Sequence, residues 1–263
     1  MLVVIPRWTN EARAFSILCG AERFAPAIWV TEEPCLQLRN GGISEGCNRI
    51  IESLGVPHTE IDLILANGQP GGFSYLLQDG DNISVYPIFR SIDISTFKLS
   101  RDIEGEVRFV LDAHLGKLAA YLRALGFDSL YQTDCQDEVL ARISAEQQRI
   151  LLTRDRGLLK RSIVTHGYLI RETGSHRQRA EVVRRFNLLS SITPFRRCLH
   201  CNSLLRRVPK ERIRERLLPE TRWLYKEFTL CPGCNRVYWK GSHYEHMKRM
   251  IDSIRAIPPI VAA

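Results

Sequence analysis

The chain has 263 residues, 44% of them hydrophobic and 25% charged, a balance that excludes a disordered polymer. No apolar run approaches the ~20 residues that a membrane-spanning helix needs. Residues 1–100 hold 7 Lys/Arg against 11 Asp/Glu, whereas 101–263 hold 30 against 18, so the net charge of +8 arises wholly in the later part. Such asymmetry points to a polyanion met by the C-terminal part, the alternative being a solvated basic surface.

Taken in order, ARAFSILC (12–19) and CLQLRN (35–40) read as strands, and SEGCNRIIESLGV (44–56) as a helix ended by Gly55. DLILANGQPGG (62–72) and YLLQDGDNISVYPIF (75–89) read as strands broken by Asn-Gly and Asp-Gly turns. Two strands, a helix and further strands suit a β-grasp, ubiquitin-like module over 1–95, with a linker at 96–107. Strands then alternate with helices: RFVLDA (108–113), helix 115–126, DSLYQT (128–133), helix 137–148, RILLT (149–153), GYLIR (167–171), helix 176–189. That alternation over 108–192 implies an α/β domain with a parallel sheet.

Functional groups of such sheets gather beyond the carboxyl ends of the strands. Asp112 ends the first strand of the domain, Asp137 opens the helix after the second, and Asp155 stands just past the third. Close carboxylates repel unless a cation compensates, and hard Mg²⁺ or Mn²⁺ suits oxygen donors. Lys117, Arg154 and Arg156 are candidate phosphate contacts, and Glu138 is the strongest extra ligand, ahead of Asp134 and Asp128. Helix capping by each aspartate is the competing explanation.

The region 193–255 carries two CxxC pairs, Cys198/Cys201 and Cys231/Cys234, the spacing of a Cys₄ zinc ribbon. Cys19, Cys35, Cys47 and Cys135 are scattered and read as small core hydrophobes. Between the pairs runs RRVPKERIRERLLPETRWLYKEF (206–228), where Arg206, Arg207, Arg212, Arg214 and Arg216 are candidate RNA contacts beside Trp223, Tyr225 and Phe228. An amphipathic helix packing Leu217, Leu218 and Leu224 on the ribbon accounts for the same pattern. Trp239 and Tyr244 read as core aromatics, and His243 as a structural or phosphate-contact residue.

FVLDAHLGKLAAYLRALGFDS (109–129), QDEVL (136–140) and RILLTRDRGLLKR (149–161), with the later cysteines and VYWKGSHYEHM (237–247), resemble the Mut-seven C-terminal RNase domain family, a PIN-like nuclease group. LGVPHTEIDLILANG (54–68) and FSYLLQDGDNISVYP (73–87) resemble the ubiquitin-like domain often fused ahead of it. The resemblance implies a metal-dependent ribonuclease whose acidic positions match Asp112, Asp137 and Asp155. A non-catalytic RNA-binding or docking adaptor with a structural zinc ribbon is the alternative. The opening MLVVIPRWTN is too short for a secretory signal and lacks its basic lead, so a cytoplasmic protein is expected. The N-terminal module has no free Gly-Gly terminus for sulfur transfer and reads better as a docking surface for a protein partner.

Overall fold

The computed structural model describes residues 46–78, 81–87, 99 and 105–255, and the strands at 15–18, 27–30 and 33–34. The chain divides into two compact units. The first takes residues up to 103 together with 155–168, and the second takes 104–154 and 169–261.

Six strands build the first unit's sheet: β1 (Phe15–Leu18), β2 (Ala27–Val30), β3 (Glu33–Pro34), β4 (Ile61–Ala66), β5 (Gln69–Gly71) and β6 (Asn82–Pro87). Their order is β3-β2-β1-β6-β4-β5, with antiparallel pairing. Helix α1 (Cys47–Ser53) places Cys47 and Ile51, four residues apart and thus on one face, into a core with Ile61, Ile64, Ile83 and Val85. The Asn-Gly turn between β4 and β5 has positive φ at both Asn67 (52°) and Gly68 (79°), the backbone a tight hairpin of this hand requires. The strand expected at 35–40 and most of the linker lie outside the described residues, and β2 and β3 were not anticipated. Residues 75–78 do not continue as strand; β6 begins only at Asn82.

The second sheet has order β10-β9-β7-β8, formed by β7 (Arg108–Leu111), β8 (Asp128–Tyr131), β9 (Ile150–Thr153) and β10 (Gly167–Leu169), with β7 parallel to both β8 and β9. Helices α2 (Gly116–Leu125), α3 (Asp137–Glu146), α4 (Arg156–Leu159) and α5 (Ser175–Arg185) connect or follow the strands. Phe109, Val110, Leu111, Leu151 and Leu152 are buried, the continuous apolar run of strands covered on both faces. Helix α5 stops at Arg185 rather than 189 because Asn187 turns left-handed (φ 50°). Helix α2 ends on Gly126 (φ 103°), where a Cβ would stand 2.1 Å from the Thr193 carbonyl oxygen. Thr193 N–H and Phe195 N–H then donate to the Leu125 and Ala124 carbonyls, both at 3.0 Å, satisfying the helix end.

Past that cap a three-stranded antiparallel sheet forms from β11 (Arg206–Val208), β12 (Phe228–Leu230) and β13 (Val237–Trp239). The stretch between β11 and β12 is not one amphipathic helix. It folds as α6 (Lys210–Ile213), a 3-10 turn at Arg214–Arg216 and α7 (Pro219–Leu224). Pro219 lacks the N–H that a continuous helix needs and so restarts the chain. Ile213 and Leu217 pack on Phe228, but Leu218 (73%) and Leu224 (59%) are exposed, against expectation. A last helix, α8 (Ser242–Arg255), buries Met247, Met250, Ile251 and Ile254.

The 155–168 segment, which includes α4, packs within the first unit. His58 Nδ1 lies 2.6 Å from Glu52 Oε1, and its Nε2 lies 2.8 Å from the Val164 carbonyl oxygen. Lys160 Nζ donates to the Glu52 carbonyl. Gly167 leaves no room for a side chain, since a Cβ there would stand 2.5 Å from Leu159 Cδ2.

Candidate active site and metal centre

Asp112 follows β7 directly and is 9% exposed. Its Oδ1 accepts from Ala113 N–H at 2.6 Å, which caps the short turn Ala113–Leu115, and its Oδ2 accepts from the Thr153 hydroxyl at 2.7 Å. Thr153 is the last residue of β9, so neighbouring parallel strands fix this carboxylate between them. Both contacts are neutral. Each oxygen keeps a second lone pair, and Asp112 has no ion-pair partner among the described residues. Nearby, the Tyr131 hydroxyl at the end of β8 donates to the Ala113 carbonyl at 2.8 Å. Tyr131 also explains Gly116, where a Cβ would meet its hydroxyl at 2.7 Å.

Asp137 is half-buried in the first turn of α3, whose N-cap position is Gln136, so Asp137 is not the cap. Asp155 stands two residues beyond β9, is exposed, and accepts from Gly157 N–H at 2.7 Å as the N-cap of α4. Lys117, Glu138 and Arg154 are exposed. Arg156 is exposed too, with its guanidinium over Gly55, Nη1 being 3.1 Å from where a Cβ on that glycine would stand.

Asp128, a weaker candidate ligand, belongs to the opposite edge. It starts β8, and its carboxylate takes Arg149 Nη1 at 2.6 Å, Arg197 Nη2 at 3.5 Å and Asn202 Nδ2 at 2.8 Å. Burial resists its ionisation, but the hydrogen bonds from Arg149 and Asn202 and the two guanidinium charges hold it below the usual carboxylate range. Beside it Arg123, 4% exposed, donates to the carbonyls of Ser129 (2.9 Å), Leu199 (3.0 Å) and His200 (2.8 Å). Asn202 Oδ1 accepts from Ser129 N–H at 3.0 Å. This network docks the first cysteine turn onto the amino edge of the parallel sheet.

The four cysteines converge. Cys198 Sγ is 3.5 Å from Cys234 Sγ and Cys201 Sγ is 3.2 Å from Cys231 Sγ, and all four sulfurs lie within 4.8 Å of one another. A tetrahedron with ~2.3 Å zinc–sulfur bonds has edges of roughly 3.8 Å, so the set fits zinc. In each turn the second cysteine's N–H points at the first one's sulfur, at 3.5 Å for Cys201 and 3.4 Å for Cys234. Each turn closes on a left-handed asparagine, Asn202 (φ 71°) and Asn235 (φ 59°). The repeated sequence CxxCN carries that signal, which CxxC spacing alone does not include. Burial opposes ionisation of Cys201, yet Ser203's hydroxyl and amide bring it down to about 6, whereas burial and the other sulfurs push Cys234 up to about 12. Four thiols so close cannot all ionise without a cation. Among the described residues no other group of three His, Cys, Asp or Glu donors is as tight, so no three carboxylates meet that condition. Cys47 is a buried core residue as expected, Cys135 is half-buried, and Cys19 and Cys35 lie outside the described residues.

The five candidate arginines are all exposed. Arg216 is committed to the second cysteine turn, donating to Asn235 Oδ1 at 3.1 Å and to the Asn235 carbonyl. Trp239 is 39% exposed and so is not a core aromatic, whereas Tyr244 is half-buried and stacks on Phe195 at 4.4 Å between ring centres. Among the described residues no helix is long and apolar enough to cross a membrane.

A family model described as the Mut7-C RNAse domain matches residues 107–251, and one described as Mut7-C ubiquitin matches 44–93. No curated protein and no solved structure matches the chain.

Proposed function

The chain belongs to the Mut7-C RNAse family, and on that premise we propose that it hydrolyses RNA phosphodiester bonds with the help of a divalent ion, Mg²⁺ or Mn²⁺. The observation that carries the reading is Asp112: a buried carboxylate at a strand end, oriented on both oxygens by neutral donors and without an ion-pair partner among the described residues. Asp112, Asp137 and Asp155 are the residues that would hold the ion. Their oxygens suit a hard cation, and Mg²⁺ is commonly held by one or two carboxylates plus water and substrate phosphate rather than by a tight all-protein cage. When bound, the ion lowers the pKa of a water and neutralises charge on the scissile phosphate.

The chain's own groups do the rest. Thr153 Oγ1 and Ala113 N–H hold the Asp112 carboxylate in one rotamer. Lys117 on the first turn of α2 and Arg154 just after β9 offer exposed cations to a phosphodiester, with Glu138 and Arg156 as auxiliary groups. Cys198, Cys201, Cys231 and Cys234 would hold a structural Zn²⁺ that closes the two turns into one ribbon. The ubiquitin-like module is assigned to docking a protein partner, in a cytoplasmic setting.

A second reading, an RNA-binding adaptor without catalysis, draws on the observation that Asp112 and Asp155 each accept a backbone N–H as caps. The deciding experiment incubates end-labelled RNA with Mn²⁺ and the purified protein or its Asp112→Asn and Asp137→Asn variants. Hydrolysis by the parent and its loss in both variants supports the nuclease. Equal products from all three, or none from the parent, defeats it.

A further inference from the structure

A groove of about 950 Å³ runs between the ribbon strands and the start of α8, bordered by Phe195, Trp239, Tyr244, Arg207, Lys210 and Lys226. We infer that this groove binds single-stranded RNA, with Trp239 and the Phe195–Tyr244 pair stacking on unpaired bases and the cations meeting the phosphates. The inference rests on the ribonuclease reading and specifies where such a substrate is held.

Several independent features agree. Trp239 is large and 39% exposed, with its ring 6.3 Å from Tyr225 and 6.4 Å from Phe228, a supported aromatic with one side open. Gly241 makes that placement possible, because a Cβ there would stand 2.9 Å from the indole Nε1. On the other border Phe195 and Tyr244 lie 4.4 Å apart at 34°. Base faces are available for stacking only in unpaired strands, and each such contact is sequence-tolerant.

The charge matches the same ligand. Arg207, Lys210 and Lys226 have no ion pair among the described residues. Of the two acids on the border, Glu227 is paired with Lys240 at 2.7 Å, which leaves Glu211. Helix α8 has 14 residues, and its first bond to the preceding turn runs from Glu245 N–H to the Gly241 carbonyl. The N–H groups at its opening add to the attraction for a phosphate. An acidic peptide would satisfy the cations but would leave the open aromatic faces without stacking partners. Arg212, Arg214 and Trp223 do not border the groove.

The test measures binding of fluorescein-labelled 12-mer oligouridylate to the zinc-loaded full chain by fluorescence anisotropy, without added Mg²⁺ or Mn²⁺. Expected are tighter binding of the single strand than of a 12-base-pair RNA duplex, and a loss on the order of tenfold in Trp239→Ala. Trp239→Phe retains most affinity, and Trp223→Ala is unchanged. Arg207→Gln and Lys226→Gln each lower the slope of log affinity against log salt by roughly 0.7. If Trp239→Ala loses its zinc, the glutamine variants decide, since both positions are exposed. Parent-like affinity and salt slope in those variants, preference for the duplex, or displacement of the oligouridylate by decaglutamate at equal concentration each overturns the inference. Binding here needs no hydrolysis, so a protein that cleaves nothing can still satisfy this test, and one that cleaves RNA can still fail it.

Discussion

The two edges of the parallel sheet treat their carboxylates in opposite ways. At the amino edge, Asp128 is saturated by Arg149, Arg197 and Asn202, and every contact ties one segment of the chain to another. At the carboxyl edge, Asp112 meets an amide and a hydroxyl and has no ion-pair partner among the described residues. A carboxylate already neutralised by guanidinium groups is a structural rivet. One that is oriented but left without a cationic partner is a candidate to hold a metal ion. Both aspartates are largely buried, so accessibility alone does not separate them; their partners do.

Four substitutions break or sharpen that contrast. The largest effect is expected from Cys231→Ser: elemental analysis should read one zinc per chain in the parent and none in the variant. The substitution should also unfold the ribbon, since structural zinc sites contribute on the order of 10 kcal/mol; retained zinc would remove the cysteine centre from the account. Next, Asp112→Asn should reduce RNA cleavage about a thousandfold, roughly 4 kcal/mol in the barrier. Its urea midpoint should stay close to the parent's, and a collapse of stability with normal specific activity would reverse the roles of the two edges.

Asp128→Asn should do the converse. Removing one partner of a buried ion pair costs about 3 kcal/mol, read as a lower urea midpoint, while cleavage per folded molecule persists. The pH dependence sharpens this. The folded Asp128 has its pKa held below the unfolded value of 3.8. Its contribution to stability is therefore complete above that value and is lost as pH falls through the folded one. Parent and Asp128→Asn should differ fully at pH 7 and converge progressively as the pH falls below 3.8; a constant difference would argue against an ionised Asp128. The smallest effect belongs to Ser203→Ala, expected to cost about 1 kcal/mol by removing the hydroxyl that lies 3.4 Å from Cys201 Sγ. A thermal shift at saturating zinc would measure it.

What was legible in the sequence followed local rules. Helix α2 was readable because Leu118, Leu122 and Leu125 repeat at helical spacing and Gly126 stops them. The cysteine centre was readable because CxxC is a local turn. The division of labour between Asp112 and Asp128 was not, since Asn202 and Arg197 reach Asp128 from tens of residues away and only the folded chain brings them there. For the same reason Trp239 looked like core. It closes the short strand begun by Val237 and Tyr238, and its exposure is set by the fold around it rather than by those two residues. The charge run at 206–228 showed where cations are abundant but not that Arg216 is spent on Asn235 while Arg207 borders a groove.

The 155–168 segment, held through Glu52 and His58, makes the first unit discontinuous along the chain. During synthesis the ribosome must therefore extend the polypeptide through β9 before the earlier module can acquire its last piece. Nascent chains halted near residue 140 would present that module without its closing segment. Its final maturation is thus a post-β9 event, timed by the synthesis of the domain that follows it.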